Sequence, residues 1–130
     1  MYGAGVFGAE PGRTTDDTAQ AAALSRVLIK KETFDPTAFA DRLVDWYEDD
    51  AFGVGSMTRR SIQQLRSGES WHYAGKNTWL ESEEGQNAGN GSIMRCAPLA
   101  LAYACGRVKF GVNCGRLRGL RANFELSRTR

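Results

Sequence analysis

The segment Thr15-Asp16-Asp17-Thr18 places hydroxyl and carboxylate oxygens side by side, just before a stretch rich in alanine and leucine. Consecutive side chains at a helix N-terminus converge near its open end, so these oxygens could share one cation. Mg²⁺ and Mn²⁺ prefer such oxygen ligands. The alternative is a helix cap. Threonine at a helix start accepts hydrogen bonds from free backbone amides, and acidic residues in the first turn interact favourably with the positive end of the helix dipole. The same dipole repels a cation, so further ligands must come from elsewhere.

A second motif, Ala88-Gly89-Asn90-Gly91-Ser92-Ile93-Met94-Arg95, precedes the last apolar stretch. The glycines on either side of Asn90 allow the backbone to approach a ligand closely, and a following helix offers amides to a phosphate. Arg95 could add a fixed charge or a bidentate contact. The alternatives are an Asn-Gly turn, which is compatible with binding, or a glycosylation acceptor at Asn90, which has no meaning in a cytosol.

A weaker element of the same kind is Gly53-Val54-Gly55-Ser56-Met57-Thr58-Arg59, a glycine-containing approach to a helix. A helix cap with a flexible approach explains these residues equally well. His72 is the only histidine and has no cysteine or serine–aspartate pair at a suitable spacing. We predict a surface or hydrogen-bonded loop histidine and set Ser-His-Asp chemistry aside.

The elements that position these motifs are predicted to be helical, and no segment alternates apolar and polar residues as a strand would. The chain is therefore assigned to the all-α class. The first helix is rich in alanine and leucine, and the second follows Asp35-Pro36, an N-cap and a first-turn proline. Ser56 or Thr58 caps the third, and Pro98 delays or kinks the fourth. The four helices are predicted over residues 16–31, 36–48, 58–66 and 94–104.

The predicted core is apolar and lies on the inward faces of the last three helices. Residues 68–90 are polar and contain glycine, so they are predicted to form a loop anchored by Trp71, Tyr73 and Trp79. The residues predicted to be mostly buried are Phe39, Leu43, Trp46, Leu65, Leu99 and Leu101.

The composition favours one compact, soluble domain, because 42% of the 130 residues are hydrophobic and 25% are charged. The longest apolar run, 96–105, contains Pro98 and falls short of the roughly 18 residues of a membrane span. The first ten residues lack the features of a secretory signal, so a cytoplasmic location without a membrane partner is expected. Three cysteines spaced nine residues apart, without a C-x-x-C pair, predict reduced thiols.

The charge is divided unevenly along the chain. Residues 1–106 carry 10 Lys+Arg and 14 Asp+Glu, a balance of −4, whereas residues 107–130 carry 7 Lys+Arg and 1 Asp+Glu, a balance of +6. Clustered arginines can bind phosphate backbones. A solvated, poorly ordered end is the preferred interpretation, because the segment has no stacking aromatics in register and no nucleic-acid-binding motif.

Taken together and in this order, the segments PGRTTDDTAQAAAL, GVGSMTRRSI and AGNGSIMRCAPLALAY resemble the ADP-ribosylglycohydrolase family. The resemblance implies an all-α fold around a two-metal centre that holds Mg²⁺ or Mn²⁺, and hydrolysis of the bond joining ADP-ribose to a protein side chain or small-molecule acceptor. It implies metal ligation by Thr15, Asp16 and Asp17, with catalysis depending on the two aspartates. It further implies that ADP-ribose is bound by Asn90, Gly91, Ser92, Met94 and Arg95.

The chain also departs from the family pattern. The family's Gly-Asp-x-x-Gly element is missing before Thr15, and no D-x-D-[ST] motif follows Arg95. These departures predict a partial helical domain over residues 1–106 and a basic tail over residues 107–130 that lies outside the family fold. With fewer carboxylates for the metals, the isolated chain is expected to bind metal weakly and to show no measurable hydrolysis.

Two functions are thus compatible with the sequence. The first is a metal-dependent hydrolase that acts on ADP-ribose conjugates, with a clamp on the diphosphate formed by the Asn90 loop. The second is a non-catalytic helical remnant or an ADP-ribose-binding module.

Overall fold

The computed structural model describes residues 8–87 and 89–104, and this part of the protein contains five α-helices and no strand. The all-α prediction is confirmed there, whereas the predicted disorder of the tail at 107–130 concerns residues outside the described ranges. None of these helices is both long and apolar enough to cross a membrane. The helices are α1 (Asp16–Lys31), α2 (Pro36–Asp50), α3 (Ser56–Arg66), α4 (Trp71–Leu80) and α5 (Ala97–Ala104).

Helix α1 packs against both α2 and α5. Its buried Leu24 and Leu28 form the centre of an apolar cluster. Burying such side chains supplies most of the driving force for packing a helix pair. Five partly buried side chains from the neighbouring segments complete this cluster: Phe34, Phe39, Leu99, Ala102 and Tyr103.

Helix α2 begins as the sequence predicts. The carboxylate of Asp35 accepts a hydrogen bond of 3.0 Å from the backbone N–H of Ala38, and Pro36 occupies the first turn. The hydrogen bond from Asp35 pairs a backbone amide that the helix itself leaves without a partner. Leu43 is buried as predicted, while Phe39 and Trp46 are half-buried.

The loop predicted over residues 68–90 is wrong in its first part, because residues 71–80 form α4. Ser70 caps this helix by accepting a hydrogen bond from the N–H of His72. Ala74 and Thr78, one turn apart, are buried against α3, so the helix is held by small residues. The predicted anchors Trp71, Tyr73 and Trp79 are instead exposed over about half their surface.

Three further predictions need correction. Helix α3 starts at Ser56 after Gly55 as its N-cap, two residues before the predicted start. Helix α5 starts at Ala97, just before Pro98, and faces α1 with Leu99, Ala102 and Tyr103. Leu101 therefore lies on the opposite side of α5 and is 67% exposed, contrary to the prediction, while Leu65 and Leu99 are half-buried.

Gln20 of α1 is fully buried, and neither its amide nitrogen nor its amide oxygen has a hydrogen-bond partner within the described part of the protein. It lies one helical turn after Asp16 and one turn before the buried Leu24. An unpaired buried polar group costs roughly 1–3 kcal/mol. Gln20 is thus a local weak point between the buried carboxylate of Asp16 and the apolar residues of the same helix face.

Replacing Gln20 with methionine is expected to stabilise the protein by roughly 1 kcal/mol or more, because methionine has similar length and no polar group to leave unpaired. Thermal unfolding followed by circular dichroism measures this change. Gln20→Glu serves as the control and is expected to lower the melting temperature, since it buries a carboxylate. A lower melting temperature for Gln20→Met would contradict this account.

Candidate functional site

The start of α1 carries a buried carboxylate. Asp16 is only 7% exposed, whereas Asp17 beside it faces solvent. Burial raises the pKa of Asp16, and the adjacent negative charge of Asp17 raises it further. Thr15 occupies the N-cap but makes no side-chain cap to a backbone amide; its hydroxyl donates instead to the Asp17 carboxylate at 3.4 Å. The three predicted ligand residues are therefore neighbours, and the Thr15 hydroxyl is not used to cap the helix.

The turn at Gly53–Gly55 closes over this carboxylate. Gly53 has a φ of +79°, and a Cβ atom there would lie 3.2 Å from the Thr15 Cβ and 3.3 Å from Oδ1 of Asp16. A side chain at this position would be both strained and crowded. Attraction to the backbone N–H of Gly55 lowers the pKa of Asp16, against the larger effects of burial and of Asp17.

Arg13 belongs to the segment before α1 and contacts residues at the end of α2 and in the same turn. Its Nη2 nitrogen donates to both carboxylate oxygens of Asp50, at 2.7 and 3.0 Å, and the guanidinium lies 4.0 Å from the centre of the Phe52 ring. A single exposed ion pair contributes little to stability, but the contact with the ring helps to fix the direction of the guanidinium. The turn between α2 and α3 is thus held next to Thr15 and Asp16.

Residues 90–95 form a compact turn before α5. The carbonyl of Asn90 accepts hydrogen bonds from the N–H groups of Ile93 at 2.9 Å and Met94 at 3.1 Å. Asn90 and Ser92 are exposed, while Gly91, Met94 and Arg95 are half-buried. The guanidinium of Arg95 folds back and donates from Nε to the carbonyl of Gly91. The arginine and the glycine-containing loop therefore form one structural unit.

Thr58 joins this turn to α3. It is buried in the first turn of α3, and its hydroxyl accepts a hydrogen bond of 3.3 Å from an Nη2 N–H of Arg95. A Cβ atom on Gly91 would lie 2.6 Å from the Thr58 hydroxyl and 2.9 Å from Nη2 of Arg95. The absence of a side chain at Gly91 is what lets the loop approach α3 this closely.

The structure thus brings the three sequence motifs together through the start of α3. Gly53 and Gly55 contact the start of α1, and Thr58 contacts the turn at Gly91–Arg95. Burial lowers the pKa of Arg95, while the negative charge of Asp16 acts in the opposite direction. Charges separated by almost eighty residues in sequence therefore influence each other in the fold.

The described residues do not form every feature that the sequence predicts. No group of three or more His, Cys, Asp or Glu side chains suited to a metal ion occurs within residues 8–87 and 89–104. Surface hollows of about 270 and 310 Å³ lie against α2 and are lined by residues outside the three motifs. The family resemblance also predicts that the carboxylates of Asp16 and Asp17 and the backbone of Asn90–Ser92 face one cleft, because metal and diphosphate must meet the same ligand, and this stays a prediction. His72 is exposed, as predicted, but it lies on α4, with its ring against Trp71 and Tyr73.

Sequence reasoning missed Thr58 as a contact of the second motif and treated it only as a possible helix cap. A threonine near the start of a helix carries no signal that it faces a loop more than thirty residues further on. The signal for Gly53 was stronger, because two glycines before a helix start indicate a close backbone approach.

Comparison with known proteins identifies one family to which the chain is similar. The family profile described as ADP-ribosylglycohydrolase matches residues 1–117, a range that ends inside the basic segment. The chain is 34% identical over 109 residues to an ADP-ribosylarginine hydrolase Tri1 of Serratia proteamaculans. It is 36% identical over 102 residues to an ADP-ribosyl-[dinitrogen reductase] glycohydrolase of Rhodospirillum rubrum. The matches cover 78% of this chain in each case.

The chain belongs to the ADP-ribosylglycohydrolase family. It spans 28% of the length of the Serratia relative and 32% of that of the Rhodospirillum relative. The residues described above therefore correspond to about a third of a curated family member.

Gly91→Ala is expected to disturb the turn, because its Cβ would lie well inside contact distance of the buried Thr58 hydroxyl. Gly89→Ala is the matched control in the same loop, since its Cβ would lie 3.6 Å from the Met57 side chain, an ordinary contact. We expect Gly91→Ala to lower the free energy of unfolding by roughly 1–3 kcal/mol, the usual range for overpacking, and Gly89→Ala to have a much smaller effect. Urea denaturation compares the two. Equal losses would show that Gly91 does not lie against Thr58.

Proposed function

We propose that this chain contributes to the site of a hydrolase that removes ADP-ribose from a protein side chain. The names of the two relatives describe action on ADP-ribosylated arginine and on ADP-ribosylated dinitrogen reductase. The observation that carries the proposal is the buried carboxylate of Asp16, which is enclosed by the Gly53 turn and whose negative charge acts on Arg95 of the second motif. Opposite charges gathered in this way are suited to a ligand that has both a diphosphate and ribose hydroxyls.

The start of α1 fits a hard divalent cation as part of a larger ligand set. Thr15, Asp16 and Asp17 supply only oxygen donors, and Asp16 and Asp17 have no cationic partner among the ion pairs of the described residues. Mg²⁺ and Mn²⁺ prefer this donor chemistry. We propose these three residues as ligands, with the remaining positions filled by water or by groups beyond the described residues.

The turn at Asn90–Arg95 would bind the ADP-ribose moiety. Exposed Asn90 and Ser92 place polar side chains on the outside of the turn, and Arg95 provides a positive charge held in a fixed direction. An arginine whose planar guanidinium is already oriented loses less conformational entropy when it binds phosphate oxygens. Gly91 and Met94 complete the proposed binding segment.

Cleavage of the bond at the anomeric carbon passes through a state with positive charge on the ribose ring. In this proposal, the carboxylates of Asp16 and Asp17 compensate that charge. A bound divalent cation supplies Lewis-acid polarisation of a water molecule and of the ribose hydroxyls. Arg95 and the turn around it would hold the diphosphate, so that the reacting bond faces the carboxylates.

A binding module without catalysis is the second candidate. It is favoured by one observation: only two carboxylates meet at the start of α1, and no third ligand of the His, Cys, Asp or Glu type joins them among the described residues. Such a protein would still bind ADP-ribose through the turn at Asn90–Arg95. Binding and release assays on the same preparation distinguish the two functions.

Mn²⁺ binding, followed by electron paramagnetic resonance, and ADP-ribose binding, followed by calorimetry, test the proposal. The double variant Asp16→Asn, Asp17→Asn is expected to weaken Mn²⁺ binding at least roughly ten-fold, since two hard anionic ligands are lost. The matched control is Asp41→Asn, Asp49→Asn, which removes two exposed carboxylates from α2. This control is expected to bind Mn²⁺ and ADP-ribose as the unmodified chain does.

Release of ADP-ribose from ADP-ribosylated arginine, measured with the same variants and Mn²⁺, then separates the candidates. Release that the Asp16→Asn, Asp17→Asn variant abolishes would identify a hydrolase, and binding without release would identify a binding module. If the chain binds neither Mn²⁺ nor ADP-ribose, or if the site variant and its control behave alike, the proposed function is wrong.

A further inference from the structure

We propose that Thr58 is a positioning residue, which holds the guanidinium of Arg95 and the turn around Gly91 in the shape that binds ADP-ribose. The proposal rests on the proposed function for its ligand, but its structural part stands on contacts that do not depend on that function. Thr58 belongs to α3, and thus to neither of the two motifs that supply the proposed ligand-binding residues.

The first observation is the way Arg95 is held. It uses Nε to donate to the carbonyl of its own turn at Gly91, and one Nη2 N–H to donate to the Thr58 hydroxyl. An arginine has five N–H donors in a rigid planar group. Two of them fix the plane of the guanidinium, and the other three form no hydrogen bond within the described residues. Those three donors are the ones that could bind phosphate oxygens.

The second observation is the contact between Thr58 and the backbone of the turn. Gly91 lies so close to α3 that a Cβ atom there would be 2.6 Å from the Thr58 hydroxyl oxygen. Thr58 is 8% exposed, and its β-branched side chain has restricted rotation within a helix. It therefore provides a fixed surface that meets both the loop backbone and the arginine side chain.

Packing alone does not require a hydroxyl at this position. Valine would fill nearly the same volume and would keep the contact with Gly91, but it could not accept the hydrogen bond from Arg95. A flexible side chain such as arginine loses roughly 1.5–2 kcal/mol of rotational freedom when it is fixed. Without the Thr58 hydroxyl, Arg95 would lose this freedom only when the ligand binds, so the free energy of binding would be less favourable. The turn would also lose one of its contacts with α3.

The test compares Thr58→Val, which removes the hydroxyl, with Thr58→Ser, which keeps it. Thr78→Val is the matched control, since Thr78 is also buried in a helix but donates only to the carbonyl of Ala74. The first readout is hydrogen exchange at the amides of Ile93, Met94 and Cys96, which are hydrogen-bonded within the turn. The second is the Kd for ADP-ribose, measured by calorimetry.

We expect Thr58→Val to accelerate exchange at these amides and to raise the Kd for ADP-ribose, each by roughly ten-fold, the usual effect of losing a hydrogen bond to a charged group. Thr58→Ser and Thr78→Val are expected to remain close to the unmodified chain in both readouts. Loss of protection in Thr58→Ser equal to that in Thr58→Val would show that the hydroxyl is not what matters, and would overturn the proposal.

The two readouts also separate this proposal from the proposed function. If the unmodified chain binds ADP-ribose and Thr58→Val binds it equally well, the positioning role is wrong. If the unmodified chain does not bind ADP-ribose, the proposed function and the ligand role of Thr58 both fail, while hydrogen exchange still decides whether Thr58 holds the turn. Unchanged exchange in Thr58→Val would refute that structural part as well.

Discussion

The burial of the Asp16 carboxylate is the constraint around which this part of the protein is organised. A carboxylate removed from water must be compensated by hydrogen-bond donors or by positive charge, or it becomes protonated. The backbone N–H of Gly55 supplies part of that compensation, and Gly53 allows the turn to approach because it has no side chain. The repulsion from Asp17 remains, so the pair is suited to a cation.

The first turn of α3 and the glycine turn before it connect the two motifs. On one side, this segment touches Thr15 and Asp16 through Gly53, and on the other it touches Gly91 and Arg95 through Thr58. The two proposed binding motifs, more than seventy residues apart in sequence, thus share a support of only a few residues. At both contacts a glycine faces a threonine, and the missing side chain of the glycine sets how closely the backbone approaches.

Part of this could be predicted from the sequence. Asp35-Pro36 favours a helix start through contacts within the same turn, and the alanine-rich segment favours a helix whatever its surroundings. The positions of α1 and α2 were therefore predicted correctly. Helix α4 was not predicted, because its inward residues, Ala74 and Thr78, are small, and its large aromatic residues face solvent. The exposure of Leu101 depends on which side of α5 meets α1, which the residues of α5 alone do not determine. The contact between Thr58 and Arg95 depends in the same way on tertiary packing.

Paramagnetic broadening of amide resonances by Mn²⁺ tests most directly whether the start of α3 brings the two motifs to one site. Mn²⁺ held by Asp16 and Asp17 is expected to broaden the amides at 53–58 and at 91–96. The amide of Lys31 should remain sharp, because fifteen residues of helix place it roughly 22 Å from Asp16. Asp16→Asn, Asp17→Asn should abolish the effect. Broadening confined to residues 15–20, with the turn at Gly91–Arg95 unaffected, would contradict a shared site.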